Sequence, residues 1–197
     1  MRDLTPQAVL RQAVEQHHPK LVMACSFQKE ESVLIDMLMR IEPSARVFTI
    51  DTGVLFPETY EVWRAVEERY GLTVEVEDAT GRWSAERCCG ERKVAALERA
   101  LQGAEAWVTG IRREQAPTRA RADQIEWDAA RSVWKYSPLA SWTERDVWRY
   151  VRQRGLPYHP LHDRGYGSIG CAPCTLPGNG RAGRWAGQEK TECGLHA

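Results

Sequence analysis

Nowhere in its 197 residues does the chain carry a hydrophobic run long enough to span a bilayer, and its start, MRDLTPQAVLRQ, lacks the apolar core of a secretory signal. Both absences lead us to expect a cytoplasmic protein without membrane contact. Net charge is missing too. Lys and Arg number 27 and Asp and Glu 27, so no bulk potential draws the chain to nucleic acid or to anionic lipid. There is no internal repeat and no second core, which points to a single α/β domain over residues 1–197. The charge that is present is unevenly placed: Arg112, Arg113, Arg119, Arg121, Arg181 and Arg184 gather in the second half and suggest a local anion site. Six cysteines in a reducing compartment read as metal ligands or catalytic thiols before disulfides.

Periodicity predicts alternating strands and helices. Thr5-Pro6 is a cap followed by a first-turn proline and opens a helix through QAVLRQAVEQ. LVMACSF (21–27) is a short apolar run suited to a strand covered on both faces. ESVLIDMLMRI follows with apolar residues at helical spacing. Strands are expected at 45–51, 73–78, 106–111 and 133–140, and helices at 57–70, 91–101 and 143–155, the last capped by Thr143 and stopped by Gly155. This alternation implies a doubly wound, mostly parallel sheet. Ligands bind such sheets beyond the carboxyl ends of the strands, which singles out Ser26 to Lys29, Asp51 to Gly53 and Gly110 to Arg113. Residues 155–197 lose all periodicity and become rich in Gly and Pro, a loop-built region that something other than packing must hold. His17 and His18, at a helix end, are expected at the surface, and Cys25 in the core.

The chemistry-bearing residues lie around those loops. Cys88-Cys89 precedes a helix, and Cys171-Ala172-Pro173-Cys174 falls in the irregular region. Two pairs suggest a four-thiolate site. Zinc pairs use spacers of about two to four residues, and adjacent side chains diverge, so the Cys88-Cys89 doublet leans towards a 4Fe–4S cluster, whose separate irons can take one thiolate each. A structural zinc, or buried thiols, is the alternative. SFQKEES (26–32) joins strand to helix where a phosphate loop belongs, yet it contains no glycine between Ser26 and Ser32. Asp51-Thr52-Gly53 suits an anion loop or an ordinary turn. The arginines of GIRREQAPTRARAD read either as a solvated face or as bidentate anion contacts. Cys193, in the polar terminal stretch KTECGLHA, has no packing role to play.

Taken in order, CSFQKEESVLIDM, FTIDTGVLFPETY, CCGERKVAAL, TGIRREQAPTR, HDRGYGSIGCAPCT, GRAGRW and KTECGLH resemble the phosphoadenylyl/adenylyl sulfate reductase family, specifically its iron–sulfur branch of assimilatory adenylyl sulfate (APS) reductases. The match runs from about Ser26 to the C-terminus. The resemblance implies an adenine-nucleotide α-hydrolase-like (Rossmann-like) fold, a loop-rich cluster-binding region, and a mobile catalytic tail within 155–197. It implies substrate contacts at Ser26, Phe27, Glu30, Asp51, Thr52, Gly53, Lys93, Arg112, Arg113, Arg181, Arg184 and His196, with Gln115 alongside the arginines. Its cluster ligands match Cys88, Cys89, Cys171 and Cys174, and its nucleophile matches Cys193. Gln28-Lys29 departs from the pattern, standing where relatives often have small residues, though Lys29 could itself meet an anion.

The implied reaction is reduction of APS to sulfite and AMP through a cysteine S-sulfonate that thioredoxin discharges, in sulfate assimilation. A thiolate on a terminal tail can close over substrate and then be reached by a protein-sized reductant. Assembly as a homo-oligomer is compatible with this reading. The rivals are a 3′-phosphoadenylyl sulfate reductase, which would lack the cysteine pairs; a zinc-bearing ATP pyrophosphatase-type nucleotidyl transferase, which would need a glycine-rich first loop and have no use for Cys193; and a non-enzymatic nucleotide-binding module.

Overall fold

The computed structural model describes residues 3–82, 90–185, 192, 194 and 195. Five helices are described: α1 (Pro6–His17), α2 (Lys29–Ile41), α3 (Pro57–Tyr70), α4 (Glu91–Ala100) and α5 (Glu144–Arg154). Their ends follow from local chemistry. Thr5 Oγ1 accepts the Ala8 amide at 3.2 Å to cap α1, and Thr143 Oγ1 accepts that of Asp146 at 3.2 Å to cap α5. Gly71 and Gly155 end α3 and α5 in the left-handed conformation at φ 62° and 56°. None of these helices is long and apolar enough to cross a membrane.

Six strands form one sheet: β1 (Leu21–Ala24), β2 (Arg46–Asp51), β3 (Glu75–Asp78), β4 (Ala106–Val108), β5 (Ile125–Asp128) and β6 (Val133–Tyr136), in the order β3-β2-β1-β4-β6-β5. All neighbours are parallel except β5 and β6. Successive strand residues face opposite sides, so Leu21 and Met23 pack against α1 and α2 while Val22 joins Phe48, Trp107 and Leu97 of α4 on the other face. Both faces are therefore covered, as the continuous apolar β1 requires. The order reverses direction between β1 and β4, and the loops leaving those strands open onto a common crevice.

Two expectations are corrected here. β5 was not foreseen, and the strands expected at 106–111 and 133–140 stop at Val108 and Tyr136. IEWD carries only two large apolar residues, and one of them, Trp127, stays half exposed against Trp134, so the edge strand has little hydrophobic pattern to read. His17 is not a surface residue. Its ring sits edge-on to buried Tyr136, with Nε2 3.0 Å from the phenol oxygen, because β6 returns beneath the end of α1. Cys25 is buried in the core as expected.

Beyond Gly155 the described chain has only 3₁₀ turns, at Pro160–Arg164 and Ala172–Cys174, and isolated bridges such as Leu55 with Cys171. Polar ties from α2 hold it. The Gln28 carboxamide oxygen accepts the Ile169 amide at 2.8 Å, and Lys29 Nζ donates to the Gly167 carbonyl at 2.9 Å.

Candidate active site

The first loop makes its turn without glycine because Phe27 takes the left-handed conformation, φ 57°. For a bulky residue this costs on the order of 1–3 kcal/mol. Burial of the ring and its stacking on Trp63, centroids 5.3 Å apart, offset that cost. Ser26 is left at the crevice, its hydroxyl donating to Glu31 Oε2 at 3.1 Å. The same carboxylate accepts the Gln28 amide at 3.2 Å, which closes the first turn of α2. Glu31 was not anticipated. Burial, and then the charge of Glu30 beside it, push its carboxyl up to about 7. Gly110 of the facing loop comes so close that a Cβ there would run into the Glu31 carboxylate.

Glu30 and Arg112 meet as a buried pair. Arg112 Nε and Nη2 donate to Glu30 Oε1 at 3.0 and 2.8 Å, Nη1 donates to Glu114 at 3.2 Å and to the Trp142 carbonyl at 3.3 Å, and Nη2 also reaches Glu144. Burial opposes ionisation of Glu30, but Lys29 and Arg112 hold its carboxyl below the usual range. Glu30 and Arg112 were expected to touch substrate; here they face each other at the cleft wall and brace the arginine loop against α2. Arg113 points elsewhere. It forks onto Asp3 at 2.8 and 3.0 Å and donates to the Ala122 carbonyl at 2.9 Å, outside the cleft. The side chain after Arg112 thus turns to the opposite side of the loop. Lys29 likewise does not present a free ammonium, being shared between Gly167 and Glu144, 3.2 Å away.

The Asp51-Thr52-Gly53 segment forms the turn that was its alternative reading. Asp51 Oδ1 accepts the Gly53 amide at 2.8 Å and the Tyr60 hydroxyl at 2.9 Å, with Gly53 at φ 70°. Among the described residues, these three are not part of the lining of the cleft. Thr52 instead places its hydroxyl 3.2 Å from Cys171 Sγ. Cys171 and Cys174 are both buried, linked by the Cys174 amide donating to the Cys171 carbonyl at 3.0 Å, with Trp185 packed on Cys174. Two thiols on one turn, one of them beside a hydroxyl able to donate to a thiolate, fit half of a four-thiolate donor set. Cys88 and Cys89, the expected other half, lie outside the described residues, as do Cys193 and His196. Among the described residues alone no group of three metal-binding side chains forms.

These loops enclose a cleft of about 580 Å³ at the carboxyl edge of the sheet, joined to a more apolar pocket of about 130 Å³. Ser26, Glu30, Lys93, Arg112, Arg181 and Arg184 line the cleft; Phe48, Ile50, Leu55, Leu97 and Trp107 line the pocket. Phe27 lines the pocket, and Lys93, on the first turn of α4, lines both. Arg184 is pinned by the Ile169 carbonyl at 3.2 Å and lies over the Trp185 ring at 4.5 Å. The tail comes to the same place. Glu192 is bound by Arg119 and Arg181, and Leu195 lines cleft and pocket together. Arg119 belongs to the arginine group expected to meet an anion, and here it meets the Glu192 carboxylate, a residue beside the tail cysteine that the sequence did not single out; only the fold brings the two together.

A model of the phosphoadenosine phosphosulfate reductase domain matches residues 20–177. The chain is 42% identical over 216 residues to a phosphoadenosine 5′-phosphosulfate reductase of Gloeobacter violaceus, covering 99% of this chain and 90% of that one. It is 45% identical over 207 residues to an adenosine 5′-phosphosulfate reductase of Geobacillus kaustophilus, covering 95% and 88%. Among solved structures, a phosphoadenylyl-sulfate reductase of Candida auris, as a phosphate complex, superimposes with TM-score 0.74 at 30% identity, over 88% of this chain and 91% of that one.

Proposed function

The chain belongs to the phosphoadenosine phosphosulfate reductase family, and from that premise we propose that it reduces adenylyl sulfate to sulfite and AMP in sulfate assimilation, acting as one unit with a nucleophilic tail. The observation that carries this reading is the placement of Glu192 and Leu195, on either side of Cys193, against a basic cleft at the switch point of the sheet. The apolar pocket takes the adenine, and the cleft, with Ser26, Lys93, Arg181 and Arg184, takes the phosphosulfate.

Two transfers balance the chemistry. The Cys193 thiolate attacks the sulfate sulfur; an S–S bond forms as the S–O bond to phosphate breaks, and its electron pair leaves on AMP. A thioredoxin thiolate then attacks Cys193 Sγ, sulfite departs with the pair of the S–S bond, and the second thioredoxin thiol closes its disulfide and returns Cys193. Sulfur(VI) becomes sulfur(IV) as two thiols become a disulfide. Arginine and lysine charge favours the Cys193 thiolate and neutralises the transferring anion.

Cys171 and Cys174, with Cys88 and Cys89, would hold a 4Fe–4S cluster, whose positive irons would order these segments and polarise the nearby anion. Thr52, whose hydroxyl lies 3.2 Å from Cys171 Sγ, would then donate to a Cys171 thiolate, and Lys93 would add a cation on the cleft side. The two cysteine pairs favour the unphosphorylated nucleotide, and the reducing cytoplasm that thioredoxin needs suits the six cysteines. Reduction of 3′-phosphoadenylyl sulfate is the second reading, favoured by the names of the Gloeobacter and Candida relatives.

The test is the intact mass of anaerobically purified protein incubated with adenylyl sulfate and no reductant. One added sulfonate, mapped to Cys193 and removed by thioredoxin, is the expected result. An adduct from the 3′-phosphorylated nucleotide alone moves the substrate to the second reading, and no adduct from either refutes the tail nucleophile.

A further inference from the structure

The carboxylate of Glu192 is enclosed by donors from two segments remote from it in sequence. Its Oε1 accepts Arg119 Nε at 2.9 Å and Thr118 Oγ1 at 3.0 Å; its Oε2 accepts Arg119 Nη2 at 2.8 Å and Arg181 Nη2 at 2.8 Å. Three of the four bonds come from guanidinium groups, and Arg119 engages both oxygens in a fork. The arginines are themselves braced. Arg119 Nη1 donates to Gln115 Oε1 at 2.6 Å, and the Arg181 guanidinium lies over Trp185 at 5.3 Å. Side-chain exposure is 10% for Arg119 and 15% for Arg181 and Glu192, so this is not a screened surface pair. Burial disfavours the charged carboxylate, yet the Arg119 hydrogen bonds and the two positive charges hold its carboxyl below the ordinary range.

We propose that Glu192 is a positioning residue that latches the C-terminal tail across the cleft mouth through Arg119 and Arg181. The inference rests on the sulfonate-transfer reading above. Cys193 is the next residue in the sequence after the latched one. Leu195, two residues further, lines both cavities. Latching one side of the nucleophile while an apolar side chain seats the other confines the thiol to the volume above the cleft. That confinement replaces a search by a loose terminus with a prepaid orientation. It also withholds the thiol from reagents in solution. The latch therefore acts in opposite directions on two reactions of one sulfur: it speeds attack on bound nucleotide and slows attack on anything outside.

This opposition separates the latch from a simple charge effect. Replacing a carboxylate beside Cys193 with a neutral amide lowers the thiol pKa, which would speed both reactions together. The experiment compares wild type with Glu192→Gln, both anaerobic and cofactor-loaded. One arm follows the single-turnover rate of Cys193 S-sulfonation by adenylyl sulfate, by intact mass. The other follows alkylation of Cys193 by iodoacetamide without nucleotide, by peptide mass. For Glu192→Gln we expect sulfonation slower by about tenfold or more, as loss of charge-assisted bonds predicts, and alkylation faster than in wild type. Both rates rising together, sulfonation unchanged, or both falling would each overturn the latch. A wild-type protein that forms no adduct instead refutes the underlying reaction, so the two failures are distinguishable.

Discussion

Arg112 and Arg113 are adjacent, identical in type and opposite in surroundings, which makes them a sharp test of how burial sets the worth of an ion pair. The perturbation is Arg112→Met against Arg113→Met. Removing Arg112 strips its two bonds from Glu30, a carboxylate 3% exposed, leaving it with Gln115 Nε2 at 3.2 Å and Lys29 at 4.0 Å. Breaking a buried pair on one side costs about 3–5 kcal/mol, because the remaining charge stays desolvated. Arg113 pairs with Asp3 at 32% and 41% side-chain exposure, a setting worth about 1 kcal/mol or less. For 197 residues, an unfolding entropy of about 2.1 cal/mol/K per residue sums to about 0.4 kcal/mol/K. Arg112→Met should therefore lower Tm by about 10 °C, and Arg113→Met by no more than about 3 °C. Differential scanning calorimetry of the two anaerobically purified variants decides it. Adding Glu30→Gln to Arg112→Met should recover part of the loss, since no buried charge then lacks its partner. Equal losses for the two arginines, or no recovery in the double variant, would refute the assignment of Arg112 as a buried brace.

The tie between the first loop and the irregular region rests on Gln28, whose truncation to Ala leaves the Ile169 amide without its acceptor. This should cost about 1–3 kcal/mol locally and speed hydrogen exchange at Ile169 by about tenfold or more, read by mass spectrometry or NMR; an unchanged rate would remove Gln28 from that role. His159 is fully buried, with Nδ1 accepting the Leu161 amide and Nε2 against Thr59, and burial, then the charge of His162, lower its pKa from 6.5 to about 4. Its folded pKa lies below the unfolded value, so its stabilisation is present above pH 6.5 and is lost as pH falls towards 4, by about 3 kcal/mol in all. His159→Gln should flatten the fall in urea midpoint over that interval, and an unaltered slope would show that the imidazole is not held neutral.

Much of the architecture was legible because it is local. The apolar run at 21–24, the cap at Thr143 and the left-handed stop at Gly155 each act within a turn or two of chain, and their periodicities differ enough to tell strand from helix. The alternation of elements led to a doubly wound sheet, and the rule for such sheets pointed to the loops after β1, β2 and β4, of which the first and third line the cleft. The motifs that carry the resemblance likewise need only their order. β5 escaped notice since an edge strand half open to solvent has too few apolar residues to show a period of two.

What the sequence determined by itself was therefore every described α-helix, every parallel strand of the sheet, and two of the loops at its carboxyl edge that line the cleft. Which side chain faces which partner was decided only by tertiary structure. Arg112 and Arg113 differ in nothing but the direction each leaves the loop, and that direction is set by a carboxylate 82 positions away on α2 in one case and 110 positions away on the N-terminal arm in the other. Asp51 accepts the Gly53 amide within a turn, and Thr52 between them sets its hydroxyl beside Cys171, 119 positions away. Glu192 meets Arg119 across 73 positions. Charged side chains reach several ångströms and bind whichever opposite charge the folded backbone brings within range, so their pairing is a property of the assembled chain and is not encoded in any short segment of it.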